Sequence, residues 1–289
     1  MAELKKILVT GANGQLGKEL RDISKEFNQY EFLFLSREDL PIHHYELVRN
    51  TFDAFKPDYC INCAAYTAVD RAEQESELAF IVNAESVGIL AAVSAAHSTK
   101  FIHISTDYVY GGDSTIPYKE TDPTSPQSVY GTSKKAGEDQ AFKHNPESVV
   151  IRTSWVYSYH GHNFVKTMMR LMNEKEEINV VDDQRGSPTS AADLAGFIMY
   201  VIGYSSWKPG IYNFSNEGEI TWYEFALEIK KLLDSKCLVT PIPTSAYPTP
   251  AKRPLYSVMD KTKIKEEFGY DPQEWKESLA DCVKRLKEG

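Results

Sequence analysis

The chain is poor in positive charge: 32 lysines and arginines stand against 41 aspartates and glutamates, a formal net charge of −9 over 289 residues. Such a surface repels phosphodiester backbones and anionic headgroups, so neither a nucleic acid nor a membrane is expected as a partner. No apolar run is read as long enough to cross a bilayer. The opening Met1-Ala2-Glu3-Leu4-Lys5-Lys6 lacks a signal-peptide pattern, and a cytoplasmic location is expected. Cysteine is scarce. Cys60 and Cys63 form a C-x-x-C, but inside Asp58-Tyr59-Cys60-Ile61-Asn62-Cys63-Ala64-Ala65, which reads as a buried strand. Side chains three apart on a strand point to opposite faces, so the pair can neither share a metal nor easily close a disulfide. The seven histidines, His43-His44 and His160/His162 among them, show no zinc-type spacing. Internal repeats and low-complexity segments are not evident.

What the chain does have is an alternation of strand-like and helix-like runs, at a length that suits one large domain or one with a smaller companion. Residues 6–10 read as a strand, and Gly11-Ala12-Asn13-Gly14-Gln15-Leu16-Gly17 leads straight into a helix. In this G-x-x-G-x-x-G, Gly11 permits the tight turn, Gly14 lets backbone approach a pyrophosphate, and Gly17 lets helix pack on strand. The helix N-terminus then offers free N–H groups to phosphates. A dinucleotide site built from Gly11, Asn13, Gly14, Gln15, Leu16 and Gly17 is the expectation. The second strand, 31–35, ends at Ser36-Arg37-Glu38-Asp39-Leu40. An Arg at this distance from the glycines accommodates a 2′-phosphate, whereas an acidic residue holds ribose hydroxyls. Arg37 therefore leans towards NADPH, with NADH as the alternative through Asp39, against a bland reading as a solvated loop.

Further along, residues 58–65 form a third strand whose small Ala64 and Ala65 leave room for a ligand at its C-terminal end. A long apolar helix at 79–96 carries Asn83, read mainly as a satisfied polar group and secondarily as support for a site. The fourth strand, 101–106, ends in Thr106-Asp107. The Thr106 hydroxyl can meet a substrate oxygen or simply cap the strand end. Ser128-Val129-Tyr130-Gly131-Thr132-Ser133-Lys134-Lys135 opens a helix in which Tyr130 and Lys134 share one face. A phenol beside an ammonium can exchange a proton near neutral pH. Trp155, near the end of a strand at 149–157, can stack on a flat ligand or close the core. The methionines of the 163–173 helix read as core. Lys252-Arg253-Pro254, in the Pro-rich run, is either solvated or a phosphate contact. The pattern predicts a doubly wound, Rossmann-like parallel α/β sheet over residues 1–220 and a smaller substrate lobe over 221–289, with contributions to the lobe from about 157–195.

The glycine turn, Asn62-Cys63-Ala64-Ala65-Tyr66-Thr67-Ala68-Val69-Asp70, Ser105-Thr106-Asp107-Tyr108-Val109-Tyr110-Gly111 and Tyr130-Gly131-Thr132-Ser133-Lys134 together resemble the extended short-chain dehydrogenase/reductase family. Asp183-Gln184-Arg185-Gly186-Ser187-Pro188-Thr189 and Lys252-Arg253-Pro254 extend the likeness over nearly the whole chain. The resemblance implies an NADPH- or NADH-dependent oxidoreductase that reduces dTDP-4-dehydro-L-rhamnose to dTDP-L-rhamnose. It implies Tyr130 as proton donor, and Lys134 as the residue that holds the nicotinamide ribose and lowers the Tyr130 pKa. Ala64, Ala65, Tyr66 and Leu40 would border the cofactor. Thr106 and Asp107 would meet the sugar carbonyl, Trp155 the sugar nucleotide, and Arg253 the diphosphate. Some members similar in fold bind magnesium between subunits through glutamates, one of them in the glycine turn. Here that position is Gln15, a neutral amide, so magnesium is not expected, and a homodimer is left open. An epimerase or dehydratase on the same scaffold, and a non-catalytic NADP-binding regulatory subunit, are the competing readings.

Overall fold

The computed structural model describes residues 4–288. The leader reading above therefore rests in part on residues 1–3, outside the described residues. Six parallel strands form the central sheet: β1 (Lys5–Thr10), β2 (Tyr30–Leu35), β3 (Tyr59–Asn62), β4 (Lys100–Thr106), β5 (Val149–Thr153) and β6 (Gly210–Asn213). Their spatial order is 2-1-3-4-5-6. The doubly wound sheet is thus present, and its direction of winding reverses between β1 and β3, where such sheets open a ligand crevice at their carboxyl ends.

Both faces of the sheet are covered, because the strands are apolar on both. Ile7, Val9, Ile61, Ile102 and Ile151 point to one side, under the helices Gln15–Ile23 and Ala191–Gly203. Leu8, Cys60, Phe101 and Val150 point to the other, under Tyr45–Phe55 and Ser86–Ala96. Cys60 and Cys63 fall on different sides, as a spacing of three requires, and all four cysteines are free thiols. A separate core holds the second lobe: Tyr157, Val165, Met168, Met172 and Ile178 meet Phe225, Ile229, Val239, Trp275 and Leu279. In it Glu177–Val181 pairs in parallel with Leu238–Ile242. Ile264 and Phe268, by contrast, pack into the core beneath the main sheet.

Two elements depart from the sequence reading. The strand expected over 149–157 is broken after Thr153. Trp155 takes a left-handed backbone (φ 48°), and Val156–Tyr157 restarts beside Thr189–Ser190. The helix expected over 79–96 begins at Ser76 and passes through one π-helical turn, Ile81–Glu85, before continuing as Ser86–Ala96. That stretch also corrects the reading of apolar runs, since Ser76–Ala96 is 21 residues long and apolar enough to span a bilayer. It is apolar because it is a core helix: Val87, Leu90 and Ala91 are fully buried against the sheet, and a helix covered on most sides needs no polar face.

Candidate active site

The crevice at the carboxyl ends of β1, β3, β4 and β5 encloses about 590 Å³. Its floor is the glycine turn. Gly11 has φ 67°, and a Cβ there would lie 2.5 Å from the Ala64 nitrogen, so β1 and the end of β3 can meet only at glycine. A Cβ on Gly17 would strike the Gly11 carbonyl at 2.5 Å, whereas one on Gly14 meets only that carbonyl, at 3.2 Å. The Gln15–Ile23 helix has no capping side chain, leaving its first N–H groups for another acceptor. Asn13, Gln15, Leu16 and Ala65 line the same crevice. Ala64 packs partly into the core behind it, and the Tyr66 phenol donates to Glu75 at 2.6 Å. At the end of β2, Arg37 is exposed and has no ion-pair partner among the described residues. The Asp39 carboxylate accepts from the Ser36 amide and hydroxyl at 2.9 and 2.7 Å, closing the turn. Leu40, grouped with the cofactor residues from sequence, turns its side chain into the core beneath the sheet instead (2% exposed).

Opposite the glycines stands the 16-residue helix Val129–His144, capped by Ser128, whose hydroxyl accepts from the Gly131 amide. It places Tyr130 and Lys134 on the crevice wall. One of its contacts is backbone-close. A Cβ on Gly137 would fall 2.0 Å from the Asn83 carbonyl, so the helix leans directly on the π-helical turn. Asn83 there accepts from the Tyr66 amide at 2.8 Å and donates to the Ser133 hydroxyl at 3.0 Å. Asn83 therefore joins the loop after β3 to the Tyr130 helix, the secondary reading of that residue.

Lys134 does not reach towards the phenol. Its Nζ donates to the Ile104 carbonyl at 2.6 Å and lies 3.4 Å from His103 Nε2. The expectation that Lys134 lowers the Tyr130 pKa needs correcting. Burial pushes the phenol upward, with Asp107 and Tyr108 adding to the rise and the Thr106 hydroxyl opposing it. Tyr130 accordingly stays protonated through the neutral range. Lys134 is pushed down to about 8, chiefly by burial, against the pull of Glu138 and Cys63.

Beneath both lies a pair that sequence reasoning passed over. Arg152 Nε and Nη2 donate to the two Glu138 oxygens at 2.8 and 2.7 Å, the Ser105 hydroxyl donates to the same carboxylate, and Arg152 Nη1 donates to the Tyr110 phenol. All are buried. Its signal was available: an arginine within Val149-Val150-Ile151-Arg152 sits in a strand buried on both faces and demands a partner.

Thr106 and Asp107 close β4 at the crevice, the Thr106 hydroxyl donating to Asp107 Oδ1 at 3.0 Å. Asp107 Oδ2 is buried with no hydrogen bond among the described residues. Burial pushes this carboxyl up to about 6, although the Ser257 and Thr106 hydroxyls pull it down. A raised carboxyl pKa means that the folded state is penalised above pH 6 and relieved as pH falls towards 3.8. Asp107→Asn should therefore be more stable than the parent at pH 8, by on the order of 1–3 kcal/mol, with the gap closing near pH 4. Urea midpoints at both pH values test this, and an equal gap at each would refute it.

Trp155 lines the crevice from beyond β5. Its left-handed backbone is costly for a bulky residue and survives only where neighbours hold it. Here the indole stacks on Trp222 with centroids 3.6 Å apart, over a glycine, Gly186, where a Cβ would come within 2.6 Å of it. Arg253 lies outside the crevice. It lines an adjoining cavity of about 370 Å³ behind Tyr108, with Nη2 2.7 Å from Asp70 and Nη1 3.1 Å from the Tyr108 phenol. Gly161 and His162, neither of them placed at the site from sequence, complete the crevice rim. Gln15 accepts from Asn163 at 2.8 Å. Glu19, Asp22 and His160 bring potential metal-ligand atoms within 4.8 Å of one another, but Arg285 pairs with both carboxylates and His160 lies 2.8 Å from Asp22, the arrangement of an ion-pair network.

Comparison with known proteins matches residues 5–288 to the family model described as RmlD substrate binding domain. A dTDP-4-dehydrorhamnose reductase of Aggregatibacter actinomycetemcomitans is 41% identical, over 95% of this chain and 97% of its own. The crystal structure of a dTDP-4-dehydrorhamnose reductase from Clostridium acetobutylicum ATCC 824 is 41% identical with a TM-score of 0.94, covering 98% of this chain and 99% of that one. That of the Bacillus anthracis str. Ames reductase in complex with NADP is 37% identical with a TM-score of 0.94, covering 98% and 100%. With the glycine turn, the Tyr130–Lys134 helix and a match from end to end, this chain belongs to the RmlD substrate binding domain family.

Proposed function

We propose that the chain is a cytoplasmic, NADPH-dependent reductase that converts dTDP-4-dehydro-L-rhamnose to dTDP-L-rhamnose. The observation that carries the reading is the crevice itself, where a glycine cradle faces a half-buried, protonated Tyr130 and a Thr106 hydroxyl on the opposite wall. The relatives named dTDP-4-dehydrorhamnose reductase support the substrate, and the NADP complex of one of them supports the cofactor.

The cradle fits a dinucleotide: Gly11 and Gly17 admit no side chain, and the uncapped helix end suits a pyrophosphate. Gly11, Asn13, Gly14, Gln15, Leu16 and Gly17 would hold it, with Arg37 and Asp39 at the adenosine end and Ala64, Ala65 and Tyr66 along its middle. When bound, the reduced nicotinamide supplies a hydride to the keto carbon. The remaining work belongs to the chain. The Thr106 hydroxyl turns its proton from Asp107 Oδ1 to the carbonyl oxygen, and Tyr130 Oη gives its proton to that oxygen as negative charge builds on it. Lys134 orients the ribose and, with a pKa near 8, can return a proton to the phenolate. Asp107 borders the sugar carbonyl, and Trp155 buries part of the sugar ring. Arg253, which lines the adjoining cavity and is already paired with Asp70, is the diphosphate contact there. Residues 1–220 carry the nucleotide site, and 221–289 with 157–195 the substrate lobe. The separate core of Tyr157, Val165, Phe225 and Leu279 supports that division, with Ile264 and Phe268 packing back beneath the main sheet.

The test is NADPH oxidation with dTDP- and UDP-linked 4-keto sugars. Reduction of dTDP-4-dehydro-L-rhamnose is expected. Turnover without net NADPH consumption would favour an epimerase, and no turnover with a partner enzyme modulated by NADP would favour a regulatory subunit. Arg37→Ala should raise the KM for NADPH more than for NADH, because only NADPH loses a phosphate contact; equal effects would remove Arg37 from that role. Activity should survive exhaustive EDTA treatment, since Gln15 offers a neutral amide in place of a hard-cation carboxylate. A loss restored specifically by Mg²⁺ would assign a metal to other carboxylates.

A further inference from the structure

A chain of four buried side chains runs from β1 to Lys134. Thr10 Oγ1 donates to Asn62 Oδ1 at 2.7 Å, Asn62 Nδ2 lies 3.1 Å from His103 Nδ1, and His103 Nε2 lies 3.4 Å from Lys134 Nζ. None is more than 1% exposed. The direction of this chain is decided at one end. The Ala64 backbone N–H, which can only donate, points at Asn62 Oδ1 at 3.2 Å. That oxygen is therefore the acceptor, and the other amide atom, Nδ2, is a donor aimed at His103. His103 Nδ1 must accept. A neutral imidazole that accepts at Nδ1 carries its proton on Nε2, and that N–H faces Lys134. A donor facing an ammonium is repelled; facing an uncharged amine it finds a lone pair.

We propose that His103 is a positioning residue: its Nε2–H, fixed by the Asn62 amide, favours the uncharged form of Lys134 and so makes that lysine an exchangeable proton carrier beside Tyr130.

The surroundings agree. Burial, reinforced by the Lys134 charge, holds His103 well below its usual pKa, which keeps it neutral and leaves it a single tautomer. The charged or titratable groups acting on Lys134 from its other sides are Glu138 on its own helix and the Cys63 thiol after β3, and both favour the ammonium. Glu138 is in turn committed to Arg152. The imidazole N–H is the polar contact that works in the opposite sense, alongside burial. The distance is kept by Gly137, where a Cβ would sit 3.5 Å from His103 Nε2 and 2.0 Å from the Asn83 carbonyl.

The proposal borrows the role of Lys134 from the reductase reading, but neither readout below needs turnover, so the two fail separately. Long-range ¹H–¹⁵N spectra of ¹⁵N-histidine-labelled protein show which His103 nitrogen is protonated, with His103→Leu identifying the resonance by its loss. Nε2–H is expected between pH 6 and 9; Nδ1–H, or an imidazolium in that range, overturns the proposal. The second readout is the Lys134 midpoint, followed at ¹³Cε in ¹³C-lysine protein. In Asn62→Asp the new carboxylate must accept from Nδ1–H, which turns Nε2 into an acceptor, and the midpoint should rise by about 1 pH unit or more. In Asn62→Asp/His103→Leu the rise over His103→Leu alone should be less than about half as large, because only the carboxylate's distant charge remains. A rise of equal size assigns the effect to charge alone and overturns the relay. Should these variants not fold, the tautomer in the parent protein decides.

Discussion

Tyr130→Phe should lower turnover of dTDP-4-dehydro-L-rhamnose with NADPH by about 10²–10⁴-fold, the usual contribution of a positioned general acid, while NADPH affinity changes little. The substitution removes one oxygen from a side chain whose ring remains held edge-on by Tyr108, with centroids 5.5 Å apart. What is lost is a proton donor kept loaded by burial. Because the phenol titrates above its usual range, the parent's activity should show no alkaline-side loss from Tyr130 near neutrality. Single-turnover rates separate the two consequences: hydride transfer should slow, and the dissociation constant of NADPH measured by fluorescence should hold. A variant that keeps more than a tenth of parental turnover would remove Tyr130 from the chemistry and leave Thr106 or a solvent molecule as the donor.

The largest expected effect on stability comes from Arg152→Met, at about 3–5 kcal/mol of destabilisation. The arginine and Glu138 are both within 2% of complete burial, and their pairing is bidentate. Taking a carboxylate out of water costs several kcal/mol, which only a close partner offsets. Removing the guanidinium leaves Glu138 with the Ser105 hydroxyl as its one side-chain donor among the described residues. A surface pair such as Lys236–Asp234, 3.9 Å apart and more than nine-tenths exposed on both sides, should by contrast change stability by no more than about 1 kcal/mol when broken. The double variant Arg152→Met/Glu138→Leu should recover most of the loss, because no charge is then buried unpaired. Urea unfolding of the three variants measures this directly. Equal destabilisation in the single and double variants would mean that packing around Tyr110, rather than charge, sets the energy.

Several site residues were recognisable one stretch at a time. The glycine turn lies between strand and helix as its spacing implies, and Tyr130 and Lys134 come to one wall because four residues make about one helical turn. The arrangement around them was less accessible. Lys134 shares the Tyr130 wall, yet its ammonium is turned to Ile104 and His103 on β4. Leu40 stands in the right loop and faces the core. Arg253 belongs to a basic cluster that reads as solvated or phosphate-binding, and it is committed to Asp70, 183 residues away. Trp155 was expected on a continuous strand, but a left-handed turn swings it onto Trp222.

The sequence by itself determined the alternation of strand and helix, the two-sided apolar strands, the phosphate-binding turn and the spacing of phenol and amine. Each of these is a pattern within about twenty residues, where backbone geometry and side-chain period leave few choices. Only the tertiary structure decided the protonation of the site. Tyr130 is raised by burial between β4 and its own helix, His103 meets Lys134 across 31 residues, and Glu138 meets Arg152 across 14. These depend on which strands are neighbours in the sheet and on how far water is excluded from their carboxyl ends. Desolvation and charge pairing act through space, so no local spacing carries them.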